Sequence, residues 1–258
     1  NDETDLLRDV IERKLAFNDA SACFSRPARC GRDRFVSAAP APAHGGCSST
    51  MTTDTHVPET SGAELTGLPS SAPSARDRLI DTAIGLFNRY GFHATGVDRI
   101  VAAAKVAKKT LYSHFPSKED LILAALARKE AAFTEKFIPA VMASAADPRQ
   151  RLLALFEMAK SWFSDPDFYG CIFINAAVEY SDPGHPINAC ARRFKTQLRA
   201  FVRDQAKAGG AADPDRLADQ IALLFEGATT VAQVSARPDA ATTAKEIAAT
   251  LIDAAFRR

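Results

Sequence analysis

Two apolar stripes, each about two helical turns long and a few residues apart, constrain this chain more than anything else in it. In VDRIVAAAKVAKKTLYSHF, Val97, Ile100, Val101 and Ala104 fall on one helical face, and Ala107, Leu111 and Phe115 fall on the next. Intervals of three and four residues place those side chains on one side of an α-helix. Helices this short do not hold themselves in water, so each must fold against a neighbour. The short break forces a sharp corner, and the pair is expected to form a helix-turn-helix over about 96–115. Thr95 and Asp98 have the Thr-x-x-Asp spacing of a cap at the start of the first helix.

The polar side of the same stretch has one sign of charge. From Lys105 to Lys118 there are four lysines, Lys105, Lys108, Lys109 and Lys118, and no acid. From Arg76 to Lys118 eight basic residues face three acids, whereas the whole chain carries a net charge of only +1. A local surplus of that kind predicts an anionic partner for this segment alone. The outward face of the second short helix is expected to present Lys108, Lys109, Tyr112 and Ser113, with Thr110 and His114 at its margins. Such a helix fits a major groove, where lysine donates to guanine O6 and N7 or to phosphate and hydroxyls meet either. Ser117, followed by Asp120, caps the next helix, whose free amides can hold another phosphate. A merely solvated lysine face is the bland alternative; the tight turn and the lack of acids argue against it.

From Ala75 onward nearly everything is helix-periodic, and strand signals are almost absent. Asp147-Pro148 and Asp213-Pro214 read as helix starts, since proline in the first turn lacks only an amide that has no partner there. The expected fold is all-α with about nine helices: a three-helix DNA-binding domain at 75–121, then a helical ligand-binding and dimerisation domain at 122–258. Residues 1–74 read as a flexible extension, rich in Pro, Gly and Ser beyond Phe17. The first methionine is Met51, and residues 1–50 are expected to lie upstream of the native product. The five cysteines form no CxxC pair, which suits a reducing cytoplasm. No apolar run reaches the roughly 18 residues that a membrane crossing needs, so no membrane partner is expected.

The run LIDTAIGLFNRYGFHATGVDRIVAAAKVAKKTLYSHFPSKEDLI resembles the DNA-binding region of the tetracycline-repressor (TetR) family. A first helix ends in Tyr-Gly-Phe, a Thr-led second helix follows, and then comes Thr-Leu-Tyr-x-His-Phe-x-Ser-Lys-x-x-Leu. The resemblance spans roughly Ala75 to Leu126. It implies an Ω-shaped homodimer in which Thr110, Tyr112, His114 and Lys118 contact operator DNA; Thr95, Lys105, Lys108, Lys109 and Ser113 complete the expected contact set. The family commonly has glycine where this chain has Lys105. A lysine held there at positive φ costs about 1 kcal/mol, so either the turn differs or the added charge compensates on DNA.

The resemblance also implies that the last two helices build a four-helix dimer interface, here Leu217, Ile221, Leu224, Phe225, Ala228, Ile247, Leu251 and Ile252, with internal core packing as the alternative. It further implies an inducer cavity in the C-terminal half. Phe156, Trp162, Phe163, Cys171, Phe173 and Phe194 are its expected lining, with ordinary core packing as the alternative. The expected function is a homodimeric transcription repressor released from a palindromic operator by an unknown small-molecule inducer. Two alternatives stay open: a regulator that senses oxidants or electrophiles through Cys171, and a dimeric DNA-binding protein with no ligand. Catalysis by Cys171 with His185, or Asp165 with Asp167, lacks any supporting motif. No enzyme activity, cofactor or metal is expected.

Overall fold

A computed structural model describes residues 73–256, and these are helical apart from short connections. The expectations for residues 1–72 lie outside the described residues. The order is α1 (Ala75–Tyr90), α2 (Val97–Ala104), α3 (Lys108–His114), α4 (Lys118–Ala132), a π-helical turn (Phe133–Phe137), α5 (Ile138–Ser144), α6 (Pro148–Phe163), α7 (Ile172–Glu179), α8 (Pro186–Ala208), α9 (Pro214–Ser235) and α10 (Ala240–Phe256). With α4, the π turn and α5 taken as one continuous run, nine helical rods make up the described residues, as the periodicity predicts.

The first three helices and the start of α4 enclose a small core. Leu79, Ala83 and Phe87 of α1 meet Phe92, Ile100 of α2, Leu111 of α3 and Leu121 of α4, and none of the seven exposes any surface. At about 1.5–3 kcal/mol for each large apolar side chain withdrawn from water, that core is what holds two helices too short to stand alone. Arg128 of α4 bonds both Asp77 and Asp81 of α1, tying the outer edge together. Two of the three acids in the basic stretch are thereby turned away from α3.

Helix starts follow the expected chemistry. Ser117 accepts from the Asp120 amide at 3.1 Å while Asp120 accepts from the Ser117 amide at 3.0 Å, a closed capping box. Asp147 and Asp213 accept from Arg149 and Arg216 amides, each with proline next in line. The cap expected from Thr95 is not formed. Gly96 is the cap residue of α2, and the Thr95 hydroxyl instead donates to the Gly91 carbonyl at 2.7 Å and the Leu86 carbonyl at 3.3 Å. Ala107, expected to face inward, is the exposed cap residue of α3.

Helices α6, α8, α9 and α10 form the body, with α4, α5 and α7 packed around them. On α8 the stripe Ile187, Ala191, Phe194 and Leu198 is buried as its spacing predicts, whereas Phe201 is only half-buried. On α9 and α10, Leu217, Ile221, Ala228 and Ile252 are buried inside the chain's own core. These four, expected at a dimer interface, are therefore not available to a partner. Leu224, Phe225 and Leu251 are half-buried, and Ile247 is 46% exposed. The apolar surface these helices leave uncovered is the neighbouring stripe, Leu223, Val231 and Val234 with Ile247.

Candidate nucleic-acid interface and interior cavity

Helix α3 is positioned by what it buries. Leu111 is wholly enclosed and Phe115 nearly so, which fixes the rotation of the helix and turns Lys108, Lys109, Tyr112, Ser113 and His114 to solvent. Tyr112 is 46% exposed, unusual for so large an aromatic ring. Thr110 is half-buried at the margin, and its carbonyl accepts from the Ser113 hydroxyl at 2.8 Å. Lys105 is exposed beside them and does occupy the left-handed region, with φ 53° and ψ 48°. The turn is thus unaltered despite the missing glycine. Its amide bonds the Ala102 carbonyl, and the Val106 amide bonds the Val101 carbonyl, closing the corner between α2 and α3.

Two residues of the expected contact set stand differently. Thr95 is fully buried with its hydroxyl committed to backbone carbonyls, so it anchors the loop and cannot reach DNA from this position. Lys108 is paired at 2.8 Å with Asp98 of α2, an acid outside the lysine-rich stretch but folded beside it, and this partner raises the lysine's pKa. Both side chains are exposed, so water screens the pair and a phosphate can compete for the ammonium. Lys118, the first residue of α4, is half-buried and donates to the His93 carbonyl at 3.4 Å. Burial holds its pKa below the ordinary lysine value.

His93 belongs to a joint that the spacing of residues does not reveal. The Glu179 carboxylate, at the end of α7, accepts from the Phe92 amide at 2.8 Å, from the His93 amide at 2.7 Å and from the His93 ring at 3.0 Å. The His93 ring stacks on Tyr180, whose own ring lies 4.7 Å from that of His185. Burial alone would raise the Glu179 pKa, but the two amides and the His93 ring outweigh it and hold the carboxyl below its ordinary range. Gly91 fits this joint for two reasons. Its φ is 86°, and a β-carbon there would sit 2.9 Å from Glu179 Oε1.

At its other end α7 borders a cavity of about 400 Å³ lined by α1, α4, the π turn, α6, α7, α8 and α9. That volume is in the range of small-molecule sites. Of the expected lining, Trp162, Cys171, Phe173 and Phe194 do face the cavity. Phe156 and Phe163 do not: Phe156 packs against Phe225, and Phe163 packs between Trp162 and Phe168. Cys171 is the cap residue of α7, buried and not disulfide-bonded. Aromatic spacing alone misses Phe133, Phe137, Met158, Asn88 and, above all, Lys129. Lys129 is 8% exposed, and burial pushes its pKa down to about 8. Asn88 Oδ1 is buried without a donor.

Of the residue pairs with catalytic side-chain types, His185 and Asp165 each bond nearby backbone. His185 Nδ1 accepts from the Ile187 amide at the start of α8, and the Asp165 carboxylate accepts from the Asp167 amide in a turn. Among the described residues no helix is long and apolar enough to cross a membrane.

Comparison with known proteins agrees with this arrangement. Residues 79–125 match the family model described as bacterial regulatory proteins, tetR family, and residues 148–248 match the tetracyclin repressor-like C-terminal domain. The transcriptional regulator AcuR of Cereibacter sphaeroides is 27% identical over 184 residues, covering 67% of this chain and 84% of that protein. A putative TetR transcriptional regulator (SAV143) of Streptomyces avermitilis is 37% identical in the structurally aligned region, which covers 72% of this chain and all of that one, with a TM-score of 0.63. SCO4454, a TetR-family regulator of Streptomyces coelicolor, superimposes with a TM-score of 0.68 at 28% identity over 71% of this chain and 96% of its own. The chain belongs to the TetR family of DNA-binding transcription regulators.

Proposed function

We propose that this regulator is a two-fold symmetric repressor that leaves a palindromic operator when a small molecule fills the cavity above α7. The observation that carries the DNA half is the α3 face: Lys105, Lys109, Tyr112, Ser113 and His114 exposed together, with Lys108 and Lys118 at its edge. Tyr112 and Thr110 supply base-edge or phosphate contacts, and the lysines supply charge. One such helix spans only a few base pairs, so a second copy about 34–36 Å away provides the specificity. Leu223, Val231, Val234 and Ile247 are the surface for that copy, and Gly227, exposed among them with open space beyond it, allows close helix approach.

The ligand half rests on α7. Its first residues border the cavity and its last clamps the loop next to Lys118. Eight residues of helix span about 12 Å and move as one rod, so a ligand that displaces the Cys171–Phe173 end also displaces Glu179. A ligand shifts the equilibrium only by its preference for one of the two arrangements. The same reading places the protein in the cytoplasm with its DNA and gives it no catalytic role.

The test is selection of bound fragments from random and genomic DNA. A two-fold symmetric consensus with half-sites about one helical turn apart is the expected result. An asymmetric consensus, or none, overturns the dimeric reading.

A further inference from the structure

We propose that the cavity takes a neutral ligand with an apolar body and a hydroxyl, the hydroxyl donating to Asn88 Oδ1 and the body lying among Met158, Trp162, Phe173 and Phe194. The inference deepens the preceding reading and rests on it, since it names the chemistry of the ligand and the atom that receives it.

Asn88 lies in the last turn of α1, and its side chain is part of the cavity wall. Its Oδ1 is shut off from solvent and no donor of the protein reaches it, alone among the buried side-chain oxygens and nitrogens of the described residues. An acceptor buried without a donor is destabilising, and folded proteins keep few of them. One that persists in a cavity wall points to a donor arriving from the cavity. The Asn88 amide carries no hydrogen bond to a described residue, so it can turn about its last torsion, a soft one for an amide, and present Oδ1 to a ligand. Phe87, the residue before it, belongs to the small core under α2 and α3. A ligand bonded to Asn88 therefore touches a helix of the DNA-binding domain directly.

The rest of the wall decides charge and bulk. Its charged side chains come in opposite signs: Lys129 has Asp165 near its ammonium, and Lys195 lies 3.4 Å from Glu226 on α9. Neither sign is in surplus, so a charged ligand would give up its hydration with no excess of opposite charge to meet it. The Thr229 hydroxyl already donates to the Phe225 carbonyl at 2.8 Å, and Ser161 is exposed to solvent. What remains is apolar and largely aromatic. The Phe173 and Phe194 rings stack with centroids 3.7 Å apart, and Phe133 meets Phe194 edge-on at 5.1 Å. Such walls suit an aromatic ring or a short alkyl chain.

The measurement uses the protein's single tryptophan, Trp162, which lines the cavity and reports occupancy by its fluorescence. The probes 3-phenylpropan-1-ol and 4-propylphenol are titrated against their methyl ethers, with 3-phenylpropanoate and 3-phenylpropylamine as charged comparators. At least one hydroxyl compound should bind about tenfold more tightly than its ether, because only the hydroxyl can donate to the buried acceptor. Both charged compounds should bind more weakly than the alcohol. In Asn88→Leu, which keeps the bulk and removes the acceptor, hydroxyl and ether should bind equally. If Asn88→Leu does not fold, Asn88→Ala makes the same comparison, and the ratio in the unaltered protein needs no variant. An ether that binds as well as its hydroxyl partner, or a hydroxyl preference that survives in Asn88→Leu, overturns the role of Asn88 and leaves the cavity as an effector site. Tighter binding of either charged compound overturns the neutral class. No binding by any compound overturns the inference and removes the support for an effector site, while the operator reading stands or falls on the fragment selection.

Discussion

Lys129 and the lysines around α3 are one side chain in opposite surroundings. Lys105, Lys108 and Lys109 stand in water on a short helix corner, where charge costs little and a polyanion can reach it. Lys129 stands in a largely aromatic wall of the body, where charge is costly and burial pushes its pKa down to about 8. The difference teaches that position, not residue type, selects the partner. A surface cluster suits a long duplex, and a lysine buried in the body is out of a duplex's reach.

That contrast can be broken most severely at Leu111, which lies between Thr110 and Tyr112 and faces the other way. Leu111→Ala is expected to cost about 2–5 kcal/mol by opening a cavity in the core that holds α3. Thermal or urea unfolding measures it, and a loss below about 1 kcal/mol contradicts the described rotation of α3. Gly91→Ala comes next. It forces a β-carbon toward Glu179 in a positive-φ position, and about 1–3 kcal/mol is expected to go. The same joint gives a pH dependence. Because the folded Glu179 pKa lies below its ordinary value of 4.5, its stabilisation is complete well above that pH and is lost as pH falls through the folded pKa. Hydrogen-exchange protection at Phe92 and His93, relative to the intrinsic rate at each pH, should therefore fall below pH 4.5 in the native protein and show no such fall in Glu179→Gln. Lys105→Gly should act in the other direction, raising stability by about 1 kcal/mol through relief of the left-handed strain. DNA affinity should fall in the same variant if the exposed ammonium meets a phosphate. The smallest expected change in stability is Lys108→Ala, whose unfolding midpoint should match that of the unaltered protein, because the Asp98 pair is exposed and screened by water.

The two regions also differ in how much of each is legible in the sequence. The α3 face is local: Leu111 and Phe115 set the rotation, and the rest follows at intervals of three and four. Thr95 departs from its expected place because Thr-x-x-Asp suits a cap, while the hydroxyl finds the Gly91 and Leu86 carbonyls instead. That choice depends on where the preceding loop runs. In the body the aromatic residues are visible, but nothing in their spacing separates Trp162, at the cavity, from Phe163 next to it in the core. Lys129 reads as an ordinary helix-surface lysine in LARKEAAF, and only the packing of the body around α4 buries it. Likewise Leu217, Ile221, Ala228 and Ile252 share a period with the residues that stay exposed, so periodicity sets the apolar character of two helices without saying which stripe a partner covers. The Glu179 joint links residues 86 or more apart, beyond the reach of any local motif.

The most direct test of the account is the affinity of wild-type protein and Tyr112→Ala for a selected operator and for random duplex DNA across a range of salt. The account predicts that Tyr112→Ala loses about 1–3 kcal/mol on the operator and little on random DNA, with its salt slope nearly unchanged. Lys109→Ala should weaken both and reduce the slope by about one. Equal losses on both DNAs for Tyr112→Ala, or no loss on either, would contradict the assignment of α3 as the reading helix.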